Sequence, residues 1–209
     1  QKTAYEIMTC DWSSDVCSSD LYARTHSYFN NADFAARGLP GPDELAILGP
    51  WRGKIPDEVF TTVYRAPDTQ DTSLRDNLRA ARRLLVQEGY RIVDGQLLTP
   101  DNKPVAFEIL LDDPQFERVT LPYVDTLRRL GIEASVRSVD TAQYQRRLDG
   151  FDFDMIIASF GASTSPGSEQ RTYWSSSEAD KRGSLNIIGI KEPAIDAVIE
   201  LIKIGRAHV

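Results

Sequence analysis

The clearest periodicity in the chain lies between Ser73 and Glu88. Leu74, Leu78, Ala81 and Leu85 recur at helical spacing, with arginines on the other face. Ser73 supplies an N-cap and Gly89 a C-terminal cap. Tyr90 to Leu98 then reads as a hairpin, with Asp94-Gly95 as a two-residue turn between Arg91-Ile92-Val93 and Gln96-Leu97-Leu98. From Pro104 onward strands and helices alternate. Val105 to Leu111 is an apolar strand, broken by Asp112-Asp113-Pro114. Phe116 to Leu130 is a helix with Val119, Tyr123, Val124, Leu127 and Leu130 on one side, stopped by Gly131. Ile132 to Val139 is a strand, and Asp140 or Thr141 caps a short helix to Leu148. Phe151 to Phe160 is a strongly apolar strand around Met155. Strands separated by crossover helices predict a largely parallel sheet.

The flanks are less regular. Tyr22 to Pro67 is punctuated by Gly38-Leu39-Pro40-Gly41-Pro42 and Gly49-Pro50, which predicts mostly extended or irregular backbone with a short helix over Asp43 to Leu48. After Phe160 comes a polar loop, Gly161 to Ser168. It is followed by Glu169 to Trp174, a second loop, and Asn186 to Gly189. Glu192-Pro193 opens a last helix over Ala194 to Ile202.

The two ends change how composition is read. Asp11 to Leu21, D-W-S-S-D-V-C-S-S-D-L, resembles the translation of a common sequencing-library adapter. Gln1 to Ile7 resembles the outer part of the same adapter, and Ile204 to Val209 its reverse complement. On this reading residues 1–21 and 204–209 are adapter-derived, and the protein proper is a fragment over residues 22–203. Both cysteines, Cys10 and Cys17, then fall in the adapter, so neither a disulfide nor a thiol site is argued from them. The formal charge of −7 becomes −5 for residues 22–203. The charges are well mixed, which argues against nucleic acid as a partner. His26 alone is no metal site, and no metal or cofactor is expected. The sequence holds no G-x-S-x-G, H-E-x-x-H or phosphate-loop motif. Asp152 and Asp154 alternate around Phe153 and on a strand share one face. They are the candidate pair for a hydrolytic enzyme, against the plainer reading of strand-edge solvation or a local cap.

Several motifs together resemble the family 5 extracellular solute-binding proteins, which serve ABC importers of peptides and related solutes. They are Phe107 to Asp112 followed by a helix and Leu130-Gly131-Ile132, Gln143-Tyr144 before Phe151 to Ile157, and N-I-I-G-I-K-E-P-A-I-D over Asn186 to Asp196. Gly38 to Leu48, Arg52 to Phe60 and Ser165 to Trp174 are similar to the branch that includes the microcin C and oligopeptide binding proteins.

The resemblance implies a periplasmic-binding-protein type II-like α/β fold, here partial. One lobe has a largely parallel sheet flanked by helices, plus an irregular N-terminal segment. It divides the chain into residues 22–72 packing on the lobe, 73–160 as the ligand-binding lobe, and 161–203 as cleft loop and return. It implies a substrate-binding protein without enzymatic activity, located in the periplasm and a monomer when complete. Its ligands would be oligopeptides or peptide-like solutes, and its partners ABC permease subunits. A ligand sensor for a signalling receptor is the further alternative. Ligands of open parallel sheets sit beyond the strands' carboxyl ends. The expected ligand-binding residues are therefore Phe160, Ser163, Thr164, Ser165, Glu169, Arg171, Tyr173 and Trp174. Hydroxyls and backbone amides would come from the loop, end charges would meet Glu169 and Arg171, and the aromatics would pack on ligand. Ser163 stands where some family members carry an aspartate for a peptide's free amine. That leaves a blocked or longer peptide, or a peptide–nucleotide conjugate, open.

Overall fold

A computed structural model describes residues 27–29, 35–65, 72–161 and 167–205. The adapter reading of residues 1–21 falls outside them, as do residues 206–209. The chain divides into two compact units. One, the sheet unit, draws on Ala66–Gln145 and Phe153–Ala158; the other, the aromatic unit, draws on Thr25–Arg65, Arg146–Asp152 and Ser159–Val209.

The aromatic unit begins with α1 (Pro42–Leu48), a 3-10 turn (Gly49–Trp51) and α2 (Glu58–Thr61). Its N-terminal stretch is therefore more helical than its turn-rich sequence predicts. The Glu44 side chain accepts from the Gly41 amide at 2.7 Å, closing the start of α1.

The sheet unit opens with α3 (Leu74–Gln87). Ser73 is the N-cap, its hydroxyl accepting from the Asp76 amide at 3.2 Å. Gly89, at φ 84°, ends the helix, and the Tyr90 amide reaches back to the Leu85 carbonyl. Strands β1 (Arg91–Val93) and β2 (Gln96–Leu98) pair antiparallel, with Val93 opposite Gln96. Asp94 and Gly95 both have positive φ, 50° and 81°, as the two-residue turn requires.

Strand β3 (Ala106–Leu111), α4 (Glu117–Arg128) and β4 (Glu133–Ser138) follow, then α5 (Thr141–Asp149), which from Arg146 onward counts with the aromatic unit, and β5 (Met155–Ile156). The sheet runs β4-β3-β5, parallel throughout. Ile109, Leu110 and Leu111 are successive and all buried, so the central strand is covered on both faces. Ile109 and Leu111 pack with Tyr123, Val124 and Leu127 of α4 and with Ala81 and Leu85 of α3. Each such fully buried leucine or isoleucine is worth about 1.5–3 kcal/mol.

The apolar run Phe151 to Phe160 forms a much shorter strand than its sequence predicts. Phe151 sits at φ 55° and closes α5, with the Asp152 amide bonded to the Arg147 carbonyl at 2.8 Å. A strand therefore cannot begin there. At the other end, Ile109 and Leu110 register with Met155 and Ile156, so β3 runs out one residue later. Ala158 to Phe160 have no ladder to join.

The hairpin meets the α4–β4 turn through a backbone hydrogen bond as well as through the shared core of Leu97, Leu130 and Ile132. The Leu97 amide donates to the Gly131 carbonyl at 2.7 Å. Gly131 has φ 82°, and a Cβ there would lie 2.8 Å from both the Gly95 carbonyl oxygen and the Leu97 nitrogen.

In the aromatic unit α6 (Glu169–Trp174), a 3-10 turn (Ser176–Glu178) and α7 (Pro193–Gly205) complete the order. Among the described residues no helix is long and apolar enough to cross a membrane. The expected α/β class with a parallel sheet holds.

Three outcomes follow from these contacts. Gly131→Ala forces both a left-handed alanine and a backbone clash, and lowers stability by roughly 2 kcal/mol or more. Urea denaturation of the chain followed by circular dichroism measures this. Asn186→Ala removes the partner of three backbone groups (described below) and costs roughly 2–4 kcal/mol in the same assay. Ser73 and then Arg79 hold the Asp76 carboxyl below its ordinary pKa. A depressed carboxylate contributes stability that is complete above its unfolded pKa and lost as pH falls through the folded one. Ser73→Ala therefore raises the Asp76 midpoint in a carboxyl NMR titration and flattens the acid limb of stability against pH.

Candidate functional site

Six residues, E-Q-R-T-Y-W, form α6, although their β-branched and aromatic content favours helix only weakly. What fixes the helix is its end. The peptide group joining Ser175 to Ser176 is gripped from both sides. The Asn186 side-chain amide donates to the Ser175 carbonyl at 3.0 Å, and the Ser176 amide donates to the Asp196 carboxylate at 2.8 Å. Asn186 is fully buried and also donates to the Ile190 carbonyl and accepts from the Ile190 amide, each at 3.0 Å. Both ends of the N-I-I-G-I-K-E-P-A-I-D motif thus act on one peptide bond, immediately after Trp174.

With its end held, α6 presents its aromatic residues to others. Trp174 lies 4.7 Å from the Phe160 ring, 6.0 Å from Tyr173 and 5.5 Å from Tyr28. Phe160 and Tyr173 meet edge-on at 5.6 Å. Offset and edge-to-face contacts of this kind are worth about 0.5–1.5 kcal/mol each beyond area. The Trp174 indole donates to the Gln170 side-chain oxygen at 3.0 Å, which fixes the ring plane. Burial raises the Tyr28 hydroxyl above its ordinary pKa, while hydrogen bonding with Gln170 and Trp174 pulls the other way. Phe160, Tyr173 and Trp174 are each only half-buried, so the cluster keeps aromatic surface.

Of the residues expected from sequence to meet ligand, Phe160, Tyr173 and Trp174 come together. Glu169 accepts from the Gly167 amide at 2.7 Å, and Arg171 pairs with Glu200 of α7 at 3.5 Å, both half-exposed. In this state both charges have partners within the unit. Ser163, Thr164 and Ser165 lie outside the described residues. Tyr28 and Gln170 were not expected. Tyr28 is far away in sequence, and Gln170 carries no motif.

Asp152 and Asp154 take separate local roles. Asp152 pairs with Arg147 at 3.0 Å at the end of α5. Asp154 accepts from the Glu108 amide at 2.9 Å, beside the start of β5. Neither lies within a strand. Among the described residues no group of three histidine, cysteine or acidic side chains is placed to hold a metal.

Relatives are close over most of the chain. An uncharacterised protein of Sinorhizobium fredii is 44% identical over 181 residues, covering 86% of this chain and 27% of the relative. A probable peptide-binding protein of Agrobacterium fabrum is 41% identical over 180 residues, covering 85% and 29%. A peptidoglycan-binding protein of the same organism is 36% identical over 199 residues, covering 94% and 32%. The chain thus spans about a third or less of these relatives' length. Among solved structures, a periplasmic oligopeptide-binding protein of Thermotoga maritima matches with a TM-score of 0.53 at 22% identity, over 59% of this chain and 25% of that one. An oligopeptide-binding protein of Bacillus subtilis in complex with a nonapeptide matches at 0.50 and 23%, over 58% and 24%. These likenesses establish a shared fold. The middle-region profile of the bacterial extracellular solute-binding proteins, family 5, matches residues 52–182. The chain belongs to the bacterial extracellular solute-binding proteins of family 5.

Proposed function

We propose that the protein containing this chain is the substrate-binding component of an ABC importer and holds oligopeptides or peptide-like solutes in the periplasm. The observation that carries the reading is membership of a solute-binding family, together with a 41% identical relative named for peptide binding. The aromatic cluster supports it physically. Phe160, Tyr173 and Trp174 offer ring surface to a chain of varied side chains, and the polar stretch 161–168 supplies the hydrogen-bonding groups that backbone amides need. Glu169 and Arg171 serve a peptide's ends only by giving up their present partners. Ser163, Thr164 and Ser165 stay in the proposed site as loop donors. Residues 73–160 and 161–203 contribute the lobe and its cleft loop, residues 22–72 pack alongside, and the complete protein works as a monomer with permease subunits. Closure around ligand is the conformational signal such subunits read.

A second ligand reading rests on the relative named for peptidoglycan binding. Cell-wall fragments combine a short peptide with sugar, and exposed aromatic rings pack against both.

Both readings are tested on the complete protein, obtained by reading the genomic locus through both ends of this chain. Calorimetric titration with a peptide library is expected to give a ligand that mass spectrometry recovers unchanged. Trp174→Ala is expected to weaken binding by roughly tenfold or more, as for a central aromatic anchor, with Trp174→Phe retaining most of the affinity. Hydrolysis of the ligand, abolished in Asp152→Asn or Asp154→Asn, would sink the binding-protein reading in favour of an enzyme. Binding of muropeptides but of no plain peptide would select the second ligand reading.

A further inference from the structure

A groove in the sheet unit, far in sequence from the aromatic cluster, has a composition at odds with the rest of the chain. It is bounded by α3 and the C-terminal end of α4 and encloses about 320 Å³. Its floor is Leu74, Leu78 and Leu130, and its rim is Arg75, Arg79, Arg82 and Arg129. The rim arginines of α3 recur at i, i+4 and i+7, which places them on one face. Val86 continues the same stripe one turn on and is 59% exposed. The chain as a whole carries −7, while α3 alone holds four arginines against one acid, Asp76.

Among the described residues the one ion pair on this rim is weak. Arg79 and Asp76 meet at 3.1 Å, but both side chains are more than half exposed. Such pairs contribute little and exchange readily. No described carboxylate pairs with Arg82 or Arg129. Guanidinium groups match carboxylates in a two-pronged geometry and are weakly hydrated, so they favour interfaces. An apolar floor beneath such a rim suits a segment with both acidic and aliphatic side chains. A bare anion would leave the leucines unused, and a flat lipid surface does not enter a concave groove.

We propose that this groove docks an acidic segment of a partner protein. Its aliphatic side chains rest on Leu74, Leu78 and Leu130, and its carboxylates reach Arg75, Arg79, Arg82 and Arg129. The surface is distinct from the aromatic cluster and does not depend on what that cluster binds.

The probe is a fluorescent synthetic helix-forming peptide with leucine and glutamate at i, i+3 and i+4 spacing, titrated by anisotropy against the complete protein that contains this chain. Comparison peptides carry lysine for glutamate, or serine for leucine. The acidic peptide is expected to bind, with both comparison peptides at least about tenfold weaker. Arg75→Glu/Arg82→Glu is expected to lose at least about tenfold in affinity. Arg182→Glu, on the other unit and exposed, is expected to leave binding unchanged; circular dichroism checks that each variant is folded. The proposal is overturned if the double reversal binds as well as the parent chain, or if Arg182→Glu weakens binding equally. It also falls if the lysine peptide binds as tightly, or if the acidic peptide fails while anionic phosphatidylglycerol vesicles or inorganic phosphate bind. Self-association of the chain that saturates the groove without peptide would overturn it in favour of a second copy as occupant.

Discussion

One peptide group, between Ser175 and Ser176, governs the geometry of the aromatic unit. An asparagine amide holds its carbonyl and an aspartate holds its amide. A buried peptide must have both groups satisfied. Here side chains ten residues apart in sequence do it, where a helix or sheet ladder ordinarily would. Everything carried just before that peptide, Tyr173 and Trp174 included, inherits its position. The pair Arg171–Glu200 is too exposed to do the same work, so it trims the arrangement without setting it.

The two units cohere by different means. In the sheet unit a continuous apolar cluster from α3, the hairpin, β3 and α4 supplies the stability, and polar contacts orient what the core has gathered. Among the described residues, those buried and apolar in the aromatic unit are fewer: Phe60, Ala179, Ala194 and Ile199. Directional contacts therefore matter more there. Arg52 lies over the Phe60 ring at 4.1 Å, and Asn186 makes its hydrogen bonds in full burial. Held by geometry in this way, the rings of Phe160, Tyr173 and Trp174 keep part of their faces open.

Much of the sheet unit was legible because its sequence is locally consistent. Leu74, Leu78, Ala81 and Leu85 mark α3 by spacing, Asp94-Gly95 marks the hairpin, and Gly131 marks the end of α4. Strand β5 was overread because apolar content cannot tell where a partner strand ends. The position of Phe151, left-handed at a helix end where glycine is usual, gives no sequence signal. In the aromatic unit, Phe160, Tyr173 and Trp174 stood out as aromatics beside a polar loop. The helix that carries two of them did not, since E-Q-R-T-Y-W owes its form to Asn186 and Asp196 further along. Tyr28 joins the cluster by meeting Trp174, 146 positions further along the chain, a contact no local pattern records.

The join between the hairpin and the α4–β4 turn adds a main-chain hydrogen bond to the shared core of Leu97, Leu130 and Ile132. Side chains flanking it are not read by that contact, so positions such as Gln96 and Arg128 are free to drift as homologues diverge. Position 131 is not, because any Cβ would enter the seam. In a family whose members recognise different solutes, a junction of this kind lets the surroundings change while the strand it anchors keeps its place.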